Sequence, residues 1–302
     1  MFAGSLVALV TPMQDDGALD FACLERLVDW HVEQGTDGLV VAGTTGEACT
    51  LTRAEHIEVI RVAAERVAGR IPVIAGTGSN STAQTIDLSR AVGSLPIDGY
   101  LLVTPYYNKP TQEGLFRHFS AVADALDRPL ILYNVPGRTG VDMQTATVAR
   151  LAAHPGIIGI KEATGDLDRV RPLRAACGDD FLLFSGDDAT GCEFMLQGGQ
   201  GVISVSSNVV PALMADMCEA ALAGDRALAS ELDQRLAGLH QDLFVESNPI
   251  PVKWALARLG LIPGGLRLPL TELSVAGRPA VEAAMRRTGL LDQLPGTGKG
   301  AR

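Results

Sequence analysis

Lysine is the informative residue type in this sequence. Of 302 residues, 25 are basic, yet the only lysines are Lys109, Lys161, Lys253 and Lys299. Lys161 closes the apolar run Ile157-Ile158-Gly159-Ile160. An ammonium drawn out of water there has its pKa pushed down toward that of a nucleophilic amine. A lysine that merely ends a strand would instead snorkel to the surface or pair with the adjacent Glu162. Tyr and Thr hydroxyls at other strand ends favour the reactive reading. Lys109 falls in a loop, Lys253 in the first turn of a helix after two prolines and Lys299 in the tail, so each is a weaker candidate. An amine nucleophile without a cofactor suggests Schiff-base chemistry on a ketone or aldehyde. Tyr133 ends the neighbouring run and suits the proton transfers of carbinolamine formation and dehydration, although a tyrosine there could equally fill a barrel core.

Two further elements suit small anions. Thr44-Thr45-Gly46 follows an apolar run in a glycine-flanked turn, where hydroxyls and backbone N–H groups can converge on a carboxylate. Arg138, held by a Pro-Gly turn, can clamp a second carboxylate bidentately or simply cap a helix. Metal chemistry is not expected: His31, His56, His118, His154 and His240 show no paired ligand spacing. Gly76-Thr77-Gly78 lacks the third glycine of a dinucleotide fingerprint, and no phosphate-binding loop motif occurs, so no cofactor is expected. Asp187-Asp188 fits a helix cap better than a divalent-cation site.

These residues recur at one kind of place, the end of a short apolar run. Such runs lie at 5–10, 38–42, 72–75, 99–103, 129–133, 157–161, 181–184 and 201–205. Amphipathic Ala/Leu/Arg/Glu stretches alternate with them, which predicts an α/β fold with strands covered on both faces. Helix starts are visible at Thr52, with Glu55 three residues on as a capping box, at Asn80-Ser81 and at Thr111. Phe116, Phe119 and Ala123 share one face of the third of these helices. Eight units fit a (β/α)8 TIM barrel, although periodicity alone leaves a doubly wound sheet possible. From about 209 to 290 the chain reads as wholly helical, punctuated by Pro249, Pro251, Pro263 and Pro269. The expected division is a barrel over 1–224, a C-terminal helical extension over 225–294 and a disordered tail over 295–302.

Composition narrows the partners. A formal charge of −10, with no long basic run, argues against nucleic acid and anionic membrane. No apolar run approaches the roughly 18 residues of a membrane helix. The opening MFAGSLVALVTPMQDD lacks a basic n-region and a cleavage site, so it reads as a first strand rather than a signal peptide. Five scattered cysteines without a C-x-x-C pair point to buried free thiols and a cytoplasmic location.

Taken together, GTTGE at 43–47, PVIAGTGSNST at 72–82, LLVTPYYNKPTQEG at 101–114, ILYNVPGRTG at 131–140, GIKEATGD at 159–166, SGDD at 185–188 and ESNPIPVKWAL at 246–256 carry a likeness. Over nearly its whole length the chain resembles the dihydrodipicolinate synthase / N-acetylneuraminate lyase family of class I aldolases. The resemblance implies a TIM barrel, no cofactor and no metal. It also implies a lyase of lysine and diaminopimelate biosynthesis that joins pyruvate to L-aspartate 4-semialdehyde. Lys161 would form the Schiff base, with Thr44, Tyr133 and Tyr107 as a proton relay. Thr45, Ile203 and Gly186 would border the pyruvate, and Arg138 would bind the carboxylate of the semialdehyde. The family's Tyr107 equivalent enters from a neighbouring subunit, which implies a homodimer unit paired into a homotetramer.

The family's lysine-sensitive members hold L-lysine in a pocket whose matching positions are Ala48, Cys49, His56, Asn80, Gln84 and Tyr106. Sensitive enzymes carry glutamate where this chain has Gln84, so feedback inhibition is expected to be weak or absent. Within the fold, the competing reading is another pyruvate-enamine aldolase, such as N-acetylneuraminate lyase or a keto-deoxy sugar acid aldolase. From a different functional class comes a noncatalytic keto-acid sensor on a retired enzyme scaffold, and a metal-dependent aldolase is a third reading.

Overall fold

A computed structural model describes residues 2–289. Its eight strands are β1 (Gly4–Ala8), β2 (Gly38–Val41), β3 (Val73–Gly76), β4 (Gly99–Val103), β5 (Leu130–Asn134), β6 (Ile157–Glu162), β7 (Leu182–Ser185) and β8 (Gly201–Ser204). Each pairs with the next in parallel, and β8 pairs with β1. Closure excludes the doubly wound alternative. Eight helices follow the strands in turn: Phe21–Glu33, Arg53–Val67, Thr82–Val92, Gln112–Ala123, Thr145–Ala152, Val170–Cys177, Asp188–Leu196 and Pro211–Leu222. Three more, Arg226–Asp242, Ile250–Arg258 and Arg278–Arg287, come after the barrel. The expected tail at 295–302 lies outside the described residues.

The twofold side-chain period of a strand sorts the apolar runs into two cores. Leu6, Ala8, Val40, Ile74, Leu101, Ile131, Tyr133, Phe184 and Ile203 pack together inside the barrel. Their neighbours Val7, Leu39, Val41, Val73, Leu102, Leu132, Ile160, Leu183 and Val202 face outward against the helices. In β6 this alternation fixes the fate of the candidate nucleophile. Ile160 belongs to the outer layer, so Lys161 points inward, in register with Tyr133 on β5 and Phe184 on β7.

The helix starts follow from side-chain chemistry. Thr52 Oγ1 accepts from the Glu55 amide at 3.3 Å while Glu55 Oε2 accepts from the Thr52 amide at 2.8 Å, which completes the capping box. Ser81 and Thr111 cap their helices in the same way, accepting from the amides of Gln84 and Gly114. On the helix Gln112–Ala123, Phe119 is fully buried, and truncating such a side chain to alanine costs about 3–5 kcal/mol.

Two expectations are corrected. The stretch from 209 to 290 is not wholly helical, because 243–249 and 259–277 are turns and irregular chain. Pro249 lacks an amide to continue a helix, and Gly260, Pro263 and Pro269 break the second segment. Arg138 stands not in a simple turn but in a one-turn helix, Pro136–Thr139, opened by Pro136 and closed by Gly140 at φ +73°.

Candidate active site

The C-terminal strand ends open onto a cavity of about 120 Å³. Thr44, Thr45, Tyr133, Arg138, Lys161 and Gly186 line it, together with Asp187, Phe244 and Asn248. Six of the eight residues expected to act on substrate therefore converge. Ile203 does not line it, and sits lower in the barrel among Leu6, Phe184 and Ile131. Tyr107 is also absent from it: the side chain is 89% exposed, on backbone at φ +72°, a conformation that costs a tyrosine energy.

Lys161 is 6% exposed, and its Nζ lies 4.4 Å from the centroid of the Tyr133 ring. Burial lowers its pKa to about 8; the Asp188 carboxylate opposes the shift, and the Arg138 charge adds to it. Burial also pushes the Tyr133 phenol up, against the pull of Arg138 and Thr44, so the hydroxyl keeps its proton at neutral pH. The lowered pKa brings the free amine within reach near neutral pH, and its neighbour can donate a proton. Space for the lysine depends on Gly186, where a Cβ would stand 2.8 Å from Lys161 Cε and 2.6 Å from Ala163 Cβ.

Thr45 and Arg138 are both held from the C-terminal segment. Asn248 Nδ2 donates to Thr45 Oγ1 at 3.0 Å, and the Asn248 carbonyl accepts from Arg138 at 3.1 Å. Asn248 Oδ1 is buried without a partner among the described residues. Asp187 caps the helix Asp188–Leu196 by accepting from the Thr190 amide at 3.0 Å, as its position suggests. Asp188 instead accepts from the amides of Val205 and Ser206 at 2.9 and 2.8 Å, which anchors the turn after β8.

A second cavity, of about 430 Å³, shares Gly43, Thr44, Leu101 and Tyr133 with the first. Ala48, Cys49, His56, Gln84 and Tyr106 line it, whereas Asn80 does not. The Asn80 carbonyl accepts from Asn108 Nδ2 at 2.8 Å. His56 Nε2 donates to the Gly76 carbonyl at 2.7 Å, and burial lowers its pKa, so the ring is neutral. Arg53 is paired with Asp87 at 2.9 Å. Gln84 accepts from Ser79 Oγ at 3.1 Å.

Three features escaped the sequence reading. Asn248 lies in the quoted ESNPIPVKWAL run but carried no assigned role. Asp188 was read only with its neighbour. Lys253 was set aside, yet it is fully buried in an ion pair with Glu47. Its helical neighbours three and four residues away, Pro249, Ile250, Leu256 and Ala257, are all apolar, which was the available signal that it faces inward. The thiols need one correction: all five cysteines are free, but Cys49 is exposed and only Cys23, Cys192 and Cys218 are buried. Among the described residues no cluster of three or more His, Cys, Asp or Glu side chains could hold a metal, and no helix is long and apolar enough to cross a membrane.

Known proteins share much of this sequence and its fold. The chain is 62% identical over 291 residues to a 4-hydroxy-tetrahydrodipicolinate synthase of Methylococcus capsulatus, covering 96% of this chain and all of that one. The crystal structure of a chloride-inhibited dihydrodipicolinate synthase from Acinetobacter baumannii, complexed with pyruvate, superposes with a TM-score of 0.95 at 52% identity, over 96% of this chain and all of that one. A lysine-bound enzyme from Cyanidioschyzon merolae gives 0.92 at 42% identity, over 96% and 99% of the two chains. The model of the dihydrodipicolinate synthetase family matches residues 1–288. The chain, a closed barrel with an inward lysine near the end of β6, matched to one family model over residues 1–288, belongs to the dihydrodipicolinate synthetase family.

Proposed function

We propose that this protein is a lyase that condenses pyruvate with L-aspartate 4-semialdehyde to 4-hydroxy-tetrahydrodipicolinate through a Schiff base on Lys161. The observation that carries the reading is a buried amine of lowered pKa sharing one small cavity with a phenol and two anion-binding elements. The high identity to enzymes of that name supports it.

The Lys161 amine attacks the pyruvate ketone, and the hydroxyl of the resulting carbinolamine leaves as water with a proton from Tyr133 as the C=N bond of the imine forms. Thr44 and Thr45 hold the pyruvate carboxylate side of the cavity. The imine loses a methyl proton to give an enamine, whose carbon attacks the aldehyde of the second substrate. Arg138 receives the carboxylate of that substrate. The substrate amine then adds to the imine carbon, closes the ring and releases Lys161.

Tyr107 completes the relay from a neighbouring subunit; its exposure and its distance from its own cavity support a dimer, paired into a tetramer. The larger cavity corresponds to the family's lysine pocket; Gln84 stands there in place of the glutamate of lysine-sensitive members, and Asp87, the acid that lines the cavity, is already paired with Arg53. The helices after residue 224 form an extension whose Asn248 braces the site, and the working location is the cytoplasm. A sugar-acid aldolase is the weaker reading, because Arg138 offers a carboxylate clamp where a sugar would need hydroxyl partners. A coupled assay with pyruvate and each aldehyde in turn separates them: turnover is expected with aspartate semialdehyde, and turnover with sugar aldehydes alone would overturn the assignment.

A further inference from the structure

Directly after the Thr44-Thr45-Gly46 turn, Glu47 adopts φ +56°, a left-handed conformation unusual for glutamate. Its carboxylate is fully buried. Oε1 accepts from Lys253 on the helix Ile250–Arg258, whose ammonium is equally buried, and Oε2 accepts from the Arg267 amide at 3.3 Å. The neighbouring residues are tied as well: the Gly46 carbonyl accepts from Thr11 Oγ1 at 2.8 Å, and Thr45 Oγ1 accepts from Asn248 at 3.0 Å. Thr45, Gly46 and Glu47 are thus each pinned to a part of the chain distant in sequence.

A buried ion pair is a poor device for stability alone, because desolvating both charges offsets most of their attraction. It is a good device for fixing a register, since the Lys253 ammonium bonds no other group among the described residues and the Glu47 carboxylate bonds only the Arg267 amide besides. The pair also sits where register matters. A left-handed residue at the end of the turn sets the direction from which Thr44 and Thr45 enter the cavity of Lys161.

We propose that Lys253 and Glu47 are positioning residues for the pyruvate side of the active site. They lock the Thr44-Thr45 turn to the C-terminal helical segment, without touching substrate. Arg138, on the other side of the cavity, is braced by the Asn248 carbonyl and not by this pair. The pair therefore bears directly on the pyruvate side and reaches Arg138 only indirectly, through Asn248. This inference rests on the proposed condensation of pyruvate with aspartate semialdehyde.

The test is steady-state kinetics on the full-length chain and on the double variant E47Q/K253M, which removes both buried charges and so leaves neither unpaired. Turnover by the parent protein comes first, because its absence would count against the proposed reaction and not against the pair. Given that turnover, the double variant should raise the KM for pyruvate at least tenfold and slow borohydride trapping of pyruvate to a similar extent. The KM for the semialdehyde should stay within twofold. If both KM values and the trapping rate stay within twofold of the parent, or if only kcat falls, the positioning role is overturned. Should the double variant not accumulate as folded protein, E47Q alone carries the same test: the buried Lys253 can then shed its proton, and the same split between the two KM values is expected.

Discussion

Two lysines lie buried among the described residues, and their surroundings suit them to opposite work. Lys161 faces the ring of Tyr133 at a cavity, with no carboxylate bonded to it among the described residues. Lys253 meets the Glu47 carboxylate with no solvent on either side. Burial pulls both ammonium groups below their ordinary value, but Glu47 opposes the shift directly through a hydrogen bond at Lys253, whereas Asp188 opposes it only at a distance at Lys161. Burial alone does not make a nucleophile. The amine that can give up its proton is the one left beside a cavity with a neutral ring for company.

That contrast can be broken most sharply by removing each amine. Lys161→Ala should reduce turnover by at least about 10³-fold, because no other group in the cavity can form the imine. The cooperative unfolding transition of that variant should persist in circular dichroism. Lys253→Ala should do the reverse in kind: leaving Glu47 buried and unpaired costs about 3–5 kcal/mol, read as a lowered denaturation midpoint. If the Lys253 variant were as stable as the parent, the pair would not be the closed unit described above.

Smaller changes sharpen the picture around Lys161. Tyr133→Phe should lower kcat by about 10²-fold with the fold intact, the usual worth of a positioned proton donor; Tyr107→Phe should lower it too, and neither substitution should affect melting. The pH dependence follows from the sign of the shift. Because the Lys161 pKa is lowered to about 8, the free-amine fraction grows about tenfold per pH unit below that value and levels off above it. The kcat/KM for pyruvate should therefore rise to a plateau near pH 8, whereas an unshifted lysine would keep it rising toward pH 10. The smallest effect expected is from L-lysine, which should leave activity nearly unchanged up to millimolar concentration. Gln84→Glu should introduce inhibition if the larger cavity is the family's pocket.

The contrast between the two lysines also marks how far the sequence could be read. Lys161 was legible because it interrupts a run of apolar residues at the end of a strand, and strand alternation makes its direction a matter of parity with Ile160. Tyr133, Thr44 and Arg138 followed because a barrel gathers its strand ends at one rim. Strand boundaries moved by no more than two residues, as β1 shows by ending at Ala8 rather than Val10. Lys253 stayed hidden because its meaning depends on Glu47, more than two hundred residues away, and on closure of the C-terminal segment over the turn after β2. Asn248 was hidden for the same reason: its two bonds reach Thr45 and Arg138, neither of which lies near it in sequence. The helical reading of 243–249 and 259–277 fails because Pro249, Pro263 and Pro269 mark the breaks between helices rather than punctuation within them.

The central claim is that Lys161 carries the imine. Borohydride added to the protein with pyruvate, followed by peptide mass mapping, tests it directly. One reduced pyruvyl adduct is expected, on the peptide containing Lys161, and none in Lys161→Ala. An adduct on Lys253 or Lys109, or one that survives in the Lys161 variant, would contradict it.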